Sequence, residues 1–448
     1  MDSAPERLRK PEKRPLRLRL LGGLVLFIAT SYCGPRLRTG QERGKDGAGL
    51  YPELAAFGFS KGISPALVST VSRLSALMPS FDHAKQEMDR HGVELNAKAV
   101  RRISERLGTE FLATRTHDLI AWRGGELPAG SELAGKRVAV AIDGGRTRLR
   151  EKRRRQRRKG QRITRRRRYK AEWREPKLVT IFEMDERGRM KRGTRAWIDG
   201  TFEGPNHLME LVAFHLHRLG AGRAQVVAFI SDGAPWIWDR LEWVRQRVGL
   251  AANKTQYVLD WCHGVHHVSI ALEQLTLADT VRSRIFRRLR QDLRAGRVQQ
   301  VVDELKWRAR GTKNESDVGR EIRFLEKHEP HMKYQRLRRN GLPMGSGAIE
   351  SAIRRVVNQR LKGNGIMWLQ ENAEAMLVLR AAALTDRWDQ SLDHVRKTMA
   401  KSRRLDWDWA APDIPRELQK EPPPKPPRNS RPRTQQTLEK TGVTAVGW

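Results

Sequence analysis

Three acids in the 448-residue chain stand at the ends of apolar runs. Asp143 closes RVAVAID and is followed by Gly144-Gly145. Asp232 follows QVVAFIS and precedes Gly233. Asp260 closes QYVLD. A hard cation such as Mg²⁺ takes oxygen ligands, keeps several waters and needs only one or two carboxylates. Two such ions about 4 Å apart can activate an attacking oxygen and stabilise the leaving oxygen of a phosphodiester. That chemistry requires two or three carboxylates brought together by a fold. Taken singly, Asp-Gly after a strand is an ordinary turn. Glu350 stands in the first turn of a helix expected from Ala348 to about Leu361. There Ile349, Ile353, Val356, Val357 and Leu361 form a core stripe, and Arg354, Asn358 and Lys362 share the face of Glu350. The alternative use of Glu350 is an i,i+4 ion pair with Arg354, worth a few tenths of a kcal/mol. In LDWCH, Asp260 and His263 stand two residues apart, with His266 and His267 close behind. This cluster hints at metal, with a strand-end turn acid and a loop histidine as the alternative. Zinc would want further cysteines, and only Cys33 and Cys262 exist, so no zinc is expected.

The elements that must position these acids follow in a readable order. Arg137–Asp143 alternates as a strand, and Lys177–Asp185 and Arg195–Thr201 read as a hairpin turned at Glu186-Arg187-Gly188. A helix begins at Asn206 with Leu208, Leu211, Val212, Leu216 and Leu219 on one face. Gln225–Ser231 is a buried strand, Trp236 to about Val248 a helix, and Gln256–Asp260 a further strand. This order is that of an RNase H-like core: an α/β fold with a mixed five-stranded sheet and flanking helices. It would set Asp143 and Asp232 on adjacent strands, where as a pair they favour a site over two turns.

The core's first part is assigned to 131–263 and its C-terminal helices to 341–400, with an all-helical insertion at 264–340. Upstream, 61–130 is helical. Short helices open at Ser64-Pro65 and Ser80-Phe81, and a third spans Leu95–Leu107 after a break at Gly92. With Arg101 and Arg102 on the third, the segment reads as a helix-turn-helix or as an ordinary helical bundle. Residues 1–60 are irregular apart from an apolar run near Leu20–Thr30. That run is read as a strand, since a spanning helix needs roughly 20 apolar residues. Residues 401–448 form a Pro-rich basic tail expected to be disordered.

Lys plus Arg number 88 against 51 Asp plus Glu, a net charge of +37. Such an excess calls for a polyanion, with nucleic acid ahead of an anionic membrane. With 38% hydrophobic residues and 13 tryptophans, wholesale disorder is excluded. The charge is concentrated in residues 146–170, read as a loop between the first two strands. Between Arg146 and Lys170 stand 16 basic residues, among them Arg153, Arg154, Arg155, Arg157, Arg158, Arg165, Arg166, Arg167 and Arg168, against one acid, Glu151. Arginine forks suit phosphate oxygens. A cytoplasmic, nucleoid-associated protein without membrane attachment is expected.

Three segments carry a family resemblance: VAIDGG around Asp143, FISDGAPWIWD around Asp232, and MGSGAIESAIRRVVNQRLKGNGIMW around Glu350, continued by LVLRAAALTDRWDQS. Over about residues 60–400 the chain resembles the DDE transposases of bacterial insertion sequences, in the Kra-type group and distantly Mutator-like. The resemblance implies Asp143, Asp232 and Glu350 as a triad holding two Mg²⁺ or Mn²⁺ ions. It also implies DNA element ends and target DNA as partners, and a homo-oligomer. The Asp260/His263 pair is similar to a Cys-or-Asp, two residues, His motif of Mutator-like relatives, an accessory position. Such transposases often carry paired N-terminal cysteines. Here Cys33 stands alone, which implies a missing, degenerate or unmetallated zinc module, or a truncated start. A nuclease or resolvase on the same core, and a non-catalytic nucleic-acid-binding relic, are the competing functions.

Overall fold

The computed structural model describes residues 12–33, 51–59, 62–152, 169–363 and 365–405. These fall into two compact units. The first takes the described parts of Met1–Thr70, Met88–Glu94 and Arg396–Trp448. Its start is not irregular. β1 (Glu12–Arg19) and β2 (Val25–Tyr32) pair antiparallel, from Glu12 opposite Tyr32 to Arg19 opposite Val25, and α1 (Pro52–Ala56) follows. Of the apolar run, Leu21–Gly23 form the turn between the two strands, and the part from Val25 on is strand. Its partner, EKRPLRLR, is masked in the sequence because its alternating leucines sit among basic residues. α2 (Pro65–Leu77) and α3 (Phe81–Arg90) contribute residues to both units.

The second unit, Val71–Glu87 and Leu95–Val395, opens with α4 (Ala97–Arg123). Then come β3 (Arg137–Gly144), β4 (Thr147–Lys152), β5 (Tyr169–Arg174), β6 (Lys177–Glu183) and β7 (Trp197–Thr201). α5 (Pro205–Arg218), β8 (Val226–Ser231), α6 (Pro235–Val248) and β9 (Thr255–Leu259) complete the sheet region. α7 (Trp261–Gln274), α8 (Asp279–Arg294), α9 (Val298–Ala309), α10 (Glu315–His328) and α11 (Tyr334–Arg339) make the expected helical stretch, with no strand among the described residues of 264–340. α12 (Gly347–Ile353), α13 (Gln370–Leu384) and α14 (Trp388–Leu405) follow, the last reaching into the first unit. The chain beyond 405, with its Pro-rich tail, lies outside the described residues.

The fold is α/β, with a mixed five-stranded sheet ordered β7-β6-β3-β8-β9. β3, β6 and β7 form an antiparallel meander, and β8 and β9 run parallel to β3. On one face Val138, Val140, Ile142, Val179, Ile181, Val227 and Phe229 meet Leu208, Leu211 and Val212 of α5 and Ile237, Leu241 and Val244 of α6 in one core. Each such side chain contributes roughly 1.5–3 kcal/mol on burial. On the other face α12 packs across β3 and β6. There β3 offers only the small Ala139 and Ala141, both fully buried, so a helix can approach closely.

The structure departs from expectation at α4. It does not stop near Leu107 but continues through Gly108 for 27 residues. Gly108 is no breaker: a Cβ there would come within 2.7 Å of the Ala375 Cβ on α13. The missing side chain lets two helix backbones touch, and the buried stripe Val100, Ile103, Leu107, Phe111 and Leu119 runs along the same helix. The third helix of the expected helix-turn-helix is thus part of the unit that holds the sheet.

A buried ion cluster fastens α4 to the sheet edge. Arg115 donates to Asp199 of β7 at 2.9 Å, to the Gly200 carbonyl at 3.0 Å and to Glu374 of α13 at 2.9 Å. His215 of α5 bonds the second Asp199 oxygen at 2.8 Å. Burial alone would raise the Asp199 carboxyl, yet Arg115 and His215 hold it below the usual carboxylate range. Removing one member leaves buried charge unpaired, a loss of about 3–5 kcal/mol. Arg115→Met is therefore expected to lower the unfolding free energy by that amount in urea melts. A loss under about 1 kcal/mol would show that the cluster does not hold α4.

Candidate active site

The three strand-end aspartates share one level. β3 and β8 pair in parallel with Ala141 opposite Ile230, and continuing that register sets Asp143 against Asp232. β8 and β9 pair with Ser231 opposite Leu259, and the next step sets Asp232 against Asp260. The C-terminal ends of adjacent parallel strands are where open α/β sheets place their ligands.

The three acids differ in what already satisfies them. Asp143 is partly buried, and one of its oxygens accepts only from the Gly144 N–H, at 2.6 Å. Its carboxyl is pushed up from an ordinary 3.8 to about 6. Burial is the main cause, the charges of Asp232 and Glu175 add to it, and the Gly144 N–H and His263 oppose it. Asp232 Oδ1 accepts from the Ala234 N–H at 2.9 Å, beside Gly233 at φ 92°. The turn expected there does form, and it uses one of the two oxygens. Among the described residues neither aspartate forms an ion pair with a lysine or arginine, and His263 is the basic group that acts on Asp143. Glu175, which sequence reasoning missed, presses its carboxylate on Gly144, where a Cβ would come within 2.1 Å, and pairs with Lys177 at 2.9 Å.

Asp260 is fully buried. It is the N-cap of α7, its Oδ1 accepting from the His263 N–H at 3.0 Å. The two-residue spacing to His263 is the ordinary reach of an N-cap carboxylate to the third helical N–H. His263 is therefore helical rather than on a loop. The second Asp260 oxygen accepts from the Ser346 N–H, and the Trp261 N–H donates to the Met344 carbonyl at 2.8 Å. The Gly341–Gly347 loop is thereby fastened to the sheet end immediately before Glu350. Of the neighbouring histidines, His267 pairs with Glu321 at 2.6 Å and stacks on Phe324, while His266 is exposed.

Glu350 lies on α12, exposed, with Ser346 Oγ donating to it at 3.3 Å. The alternative ion pair with Arg354 does not form, and among the described residues Glu350 has none. The helix also changes form. Arg354–Asn358 make a π-helical turn in which the Gln359 N–H reaches back to the Arg354 carbonyl at 3.0 Å. The i,i+4 ladder from Glu350 through Asn358 to Lys362 is therefore interrupted after Arg354. Arg380, missed by sequence reasoning, explains how the wide turn survives in the interior. Its guanidinium donates to the Val356 carbonyl at 2.9 Å and to the carbonyls of Arg355 and Ala76, satisfying acceptors that a π turn leaves open. The core stripe Ile349, Ile353, Val356, Val357 and Leu361 is buried as predicted. Arg354 and Lys362 are exposed.

Arg101 pairs with Glu105 at 2.8 Å and Arg102 is exposed. Arg153, Arg154, Arg155, Arg157, Arg158 and Arg165 to Arg168 lie outside the described residues. Their flanks were expected to be loop, but they are strands: β4 and β5 pair antiparallel, Thr147 opposite Arg174 through Lys152 opposite Tyr169.

An oxygen-only, acidic pair without a counter-cation suits a hard divalent ion. Among the described residues no three His, Cys, Asp or Glu side chains close around one point, and Glu350 does not join Asp143 and Asp232 in such a group. Asp143 and Asp232 would hold an ion with waters completing its shell, as one or two carboxylates commonly do for Mg²⁺. No helix among the described residues is long and apolar enough to cross a membrane. Comparison with protein-family models, curated proteins and solved structures finds no match to the chain.

The raised Asp143 carboxyl sets a pH signature. Because the folded value exceeds the unfolded one, no cost exists below about pH 4, where both states are protonated. Stability falls as pH rises towards 6 and stays lowered above it. In metal-free buffer Asp143→Asn should therefore be more stable than the native chain near pH 7, by about 3 kcal/mol, and nearly equal to it near pH 3.5. Paired melts at the two pH values measure this, and a gain of the same size at both would contradict it.

Proposed function

We propose that the chain is a DDE-class DNA transposase of the Kra-type insertion-sequence group, built on an RNase H-like core. Asp143, Asp232 and Glu350 are its acidic triad, and two Mg²⁺ or Mn²⁺ ions are its cofactors. The observation that carries this reading is the level placement of Asp143 and Asp232, with no lysine or arginine paired to either among the described residues, on adjacent parallel strands of a chain of net charge +37. An antiparallel meander of three strands extended by two parallel ones is the sheet order that an RNase H-like core requires, and this supports the fold half of the reading.

In the reaction, hydrolysis of a phosphodiester at an element end releases a 3′-hydroxyl. That oxygen then attacks a target phosphorus, forming one P–O bond while the target's own 3′ oxygen leaves. One phosphodiester replaces another, so no external energy source is needed. Bound divalent ions supply Lewis-acid activation of the attacking oxygen and charge stabilisation of the leaving one. Asp143 and Asp232 would hold the ions, and Glu350, on the helix that follows the loop fastened to Asp260, would be the third acid of the set. Arg354 and Lys362, exposed and unpaired among the described residues, neutralise phosphates beside it. DNA, both element ends and target, is the partner, a homo-oligomer the working form, and the nucleoid the place of action.

Asp232→Asn should reduce Mn²⁺-dependent joining of an end-containing duplex to target DNA by about 10²–10³-fold. Retained joining overturns the triad. Cleavage by the native chain without any joined product makes it a nuclease or resolvase instead, and binding alone makes it a non-catalytic relic.

A further inference from the structure

The β4–β5 ribbon, four residues downstream of Asp143, has two faces of opposite character. In a strand successive side chains point to opposite faces. Register therefore groups Arg148 with Trp173, Arg150 with Ala171 and Lys152 with Tyr169 on one face, with Arg146 extending the row. On the other face the charges cancel locally: Arg174 pairs with Glu151 at 2.9 Å and with Glu172 at 3.1 Å, and Lys170 also pairs with Glu172. The first face has no acid. Its cations lie over aromatic rings instead: Arg146 and Arg148 over Trp173, at 5.3 and 4.9 Å from the ring centre, and Arg150 over Tyr169 at 4.8 Å. Trp173 and Tyr169 are 47% and 41% exposed, unusual for rings of this size unless a partner covers them.

A guanidinium stacked on a ring keeps its in-plane N–H donors free. Arg148 and Arg150, at alternate positions of β4, stand about 6.7 Å apart, a spacing of the order of that between successive phosphates of a nucleic-acid strand, and Arg146 immediately precedes the strand on the same side of Trp173. The base of the ribbon is fixed. Thr147 Oγ1 donates to the Leu361 carbonyl at 2.7 Å, the Arg150 N–H to the Trp368 carbonyl at 2.7 Å, and the Trp368 N–H to the Arg148 carbonyl at 3.2 Å. The row is thus held to the segment that continues from the Glu350 helix. We infer that Arg146, Arg148 and Arg150 form a phosphate track for one strand of double-stranded DNA, with Trp173 and Tyr169 as positioning residues that hold the guanidiniums in line. The inference rests on the nucleic-acid half of the proposed function and not on its chemistry.

The test measures binding of the full chain to a random-sequence DNA duplex in metal-free buffer, as a function of salt. Replacing Arg146, Arg148 and Arg150 together by Gln should lower the slope of log K against log salt by about 2.7, at about 0.9 per phosphate contact. Trp173→Leu removes no charge. It should weaken binding several-fold, and Trp173→Phe should restore most of it. Native-like melts of these variants establish that they fold. An unchanged slope in the triple variant overturns the track, and Trp173→Leu binding like the native chain overturns the positioning role. Native chain that fails to bind DNA at all overturns the nucleic-acid reading itself, a different outcome. A slope lowered only on single-stranded DNA assigns the face to unpaired strands and overturns the duplex assignment.

Discussion

The site depends most on one buried carboxylate that is not itself free to do chemistry. Asp260 has both oxygens engaged by backbone N–H groups, one from α7 and one from Ser346. A fully buried acid is tolerated only when its lone pairs are satisfied, and here the satisfaction comes from two segments far apart in sequence. The sheet end, the start of the helical stretch and the loop before Glu350 are therefore tied at a single side chain. Leu259 reinforces the tie, its carbonyl accepting from the buried Tyr334 hydroxyl at 3.2 Å.

Around that tie the charges are sorted by depth. Deep arginines have their donors engaged: those of Arg115 by carboxylates, and those of Arg380 by backbone carbonyls. Among the described residues Arg354 and the Arg146–Arg150 row have no carboxylate partner. The acids at the strand ends are the reverse case, carboxylates that no lysine or arginine pairs with among the described residues of a strongly basic chain. An excess of +37 is thus a poor description of the molecule. The second unit pairs the buried Arg115, Asp199 and Glu374 with one another, while among its described residues Asp143, Asp232 and the arginines of the ribbon that follows β3 form no ion pair.

Much of this was legible in the sequence. Strands β3, β6, β7, β8 and β9 announce themselves because burial makes them continuous or alternating apolar runs between turn residues, and the strand-end acids follow from where those runs stop. The stripe of α12 and its continuation was equally clear, since a 3.6-residue period survives in the sequence even where a π turn intervenes. The turn itself was not legible, because nothing in RRVVN departs from helical composition; its support, Arg380, lies on another helix. β4 and β5 were hidden because a ribbon with one charged and aromatic face lacks apolar alternation. α4 was cut short because Gly108 reads as a breaker unless its neighbour, Ala375, is known. The capping role of Asp260 was visible as a spacing, but the same spacing suits a metal ligand, and only burial and hydrogen-bond partners separate the two.

The π turn carries a consequence for how the chain can change over time. A π turn holds one residue more than the α-helical turn it replaces and takes up that residue locally, leaving the turns on either side in phase. Losing one residue of Arg354–Asn358 would therefore let an ordinary α turn form while Leu361 stays in the core and Trp368 keeps its contact with β4. What the deletion would disturb is the partner of the turn: the carbonyls of Arg355 and Val356 that Arg380 now serves would be taken up by the helix ladder, and a buried guanidinium would lose its acceptors. The length of this segment is thus coupled to the residue at position 380.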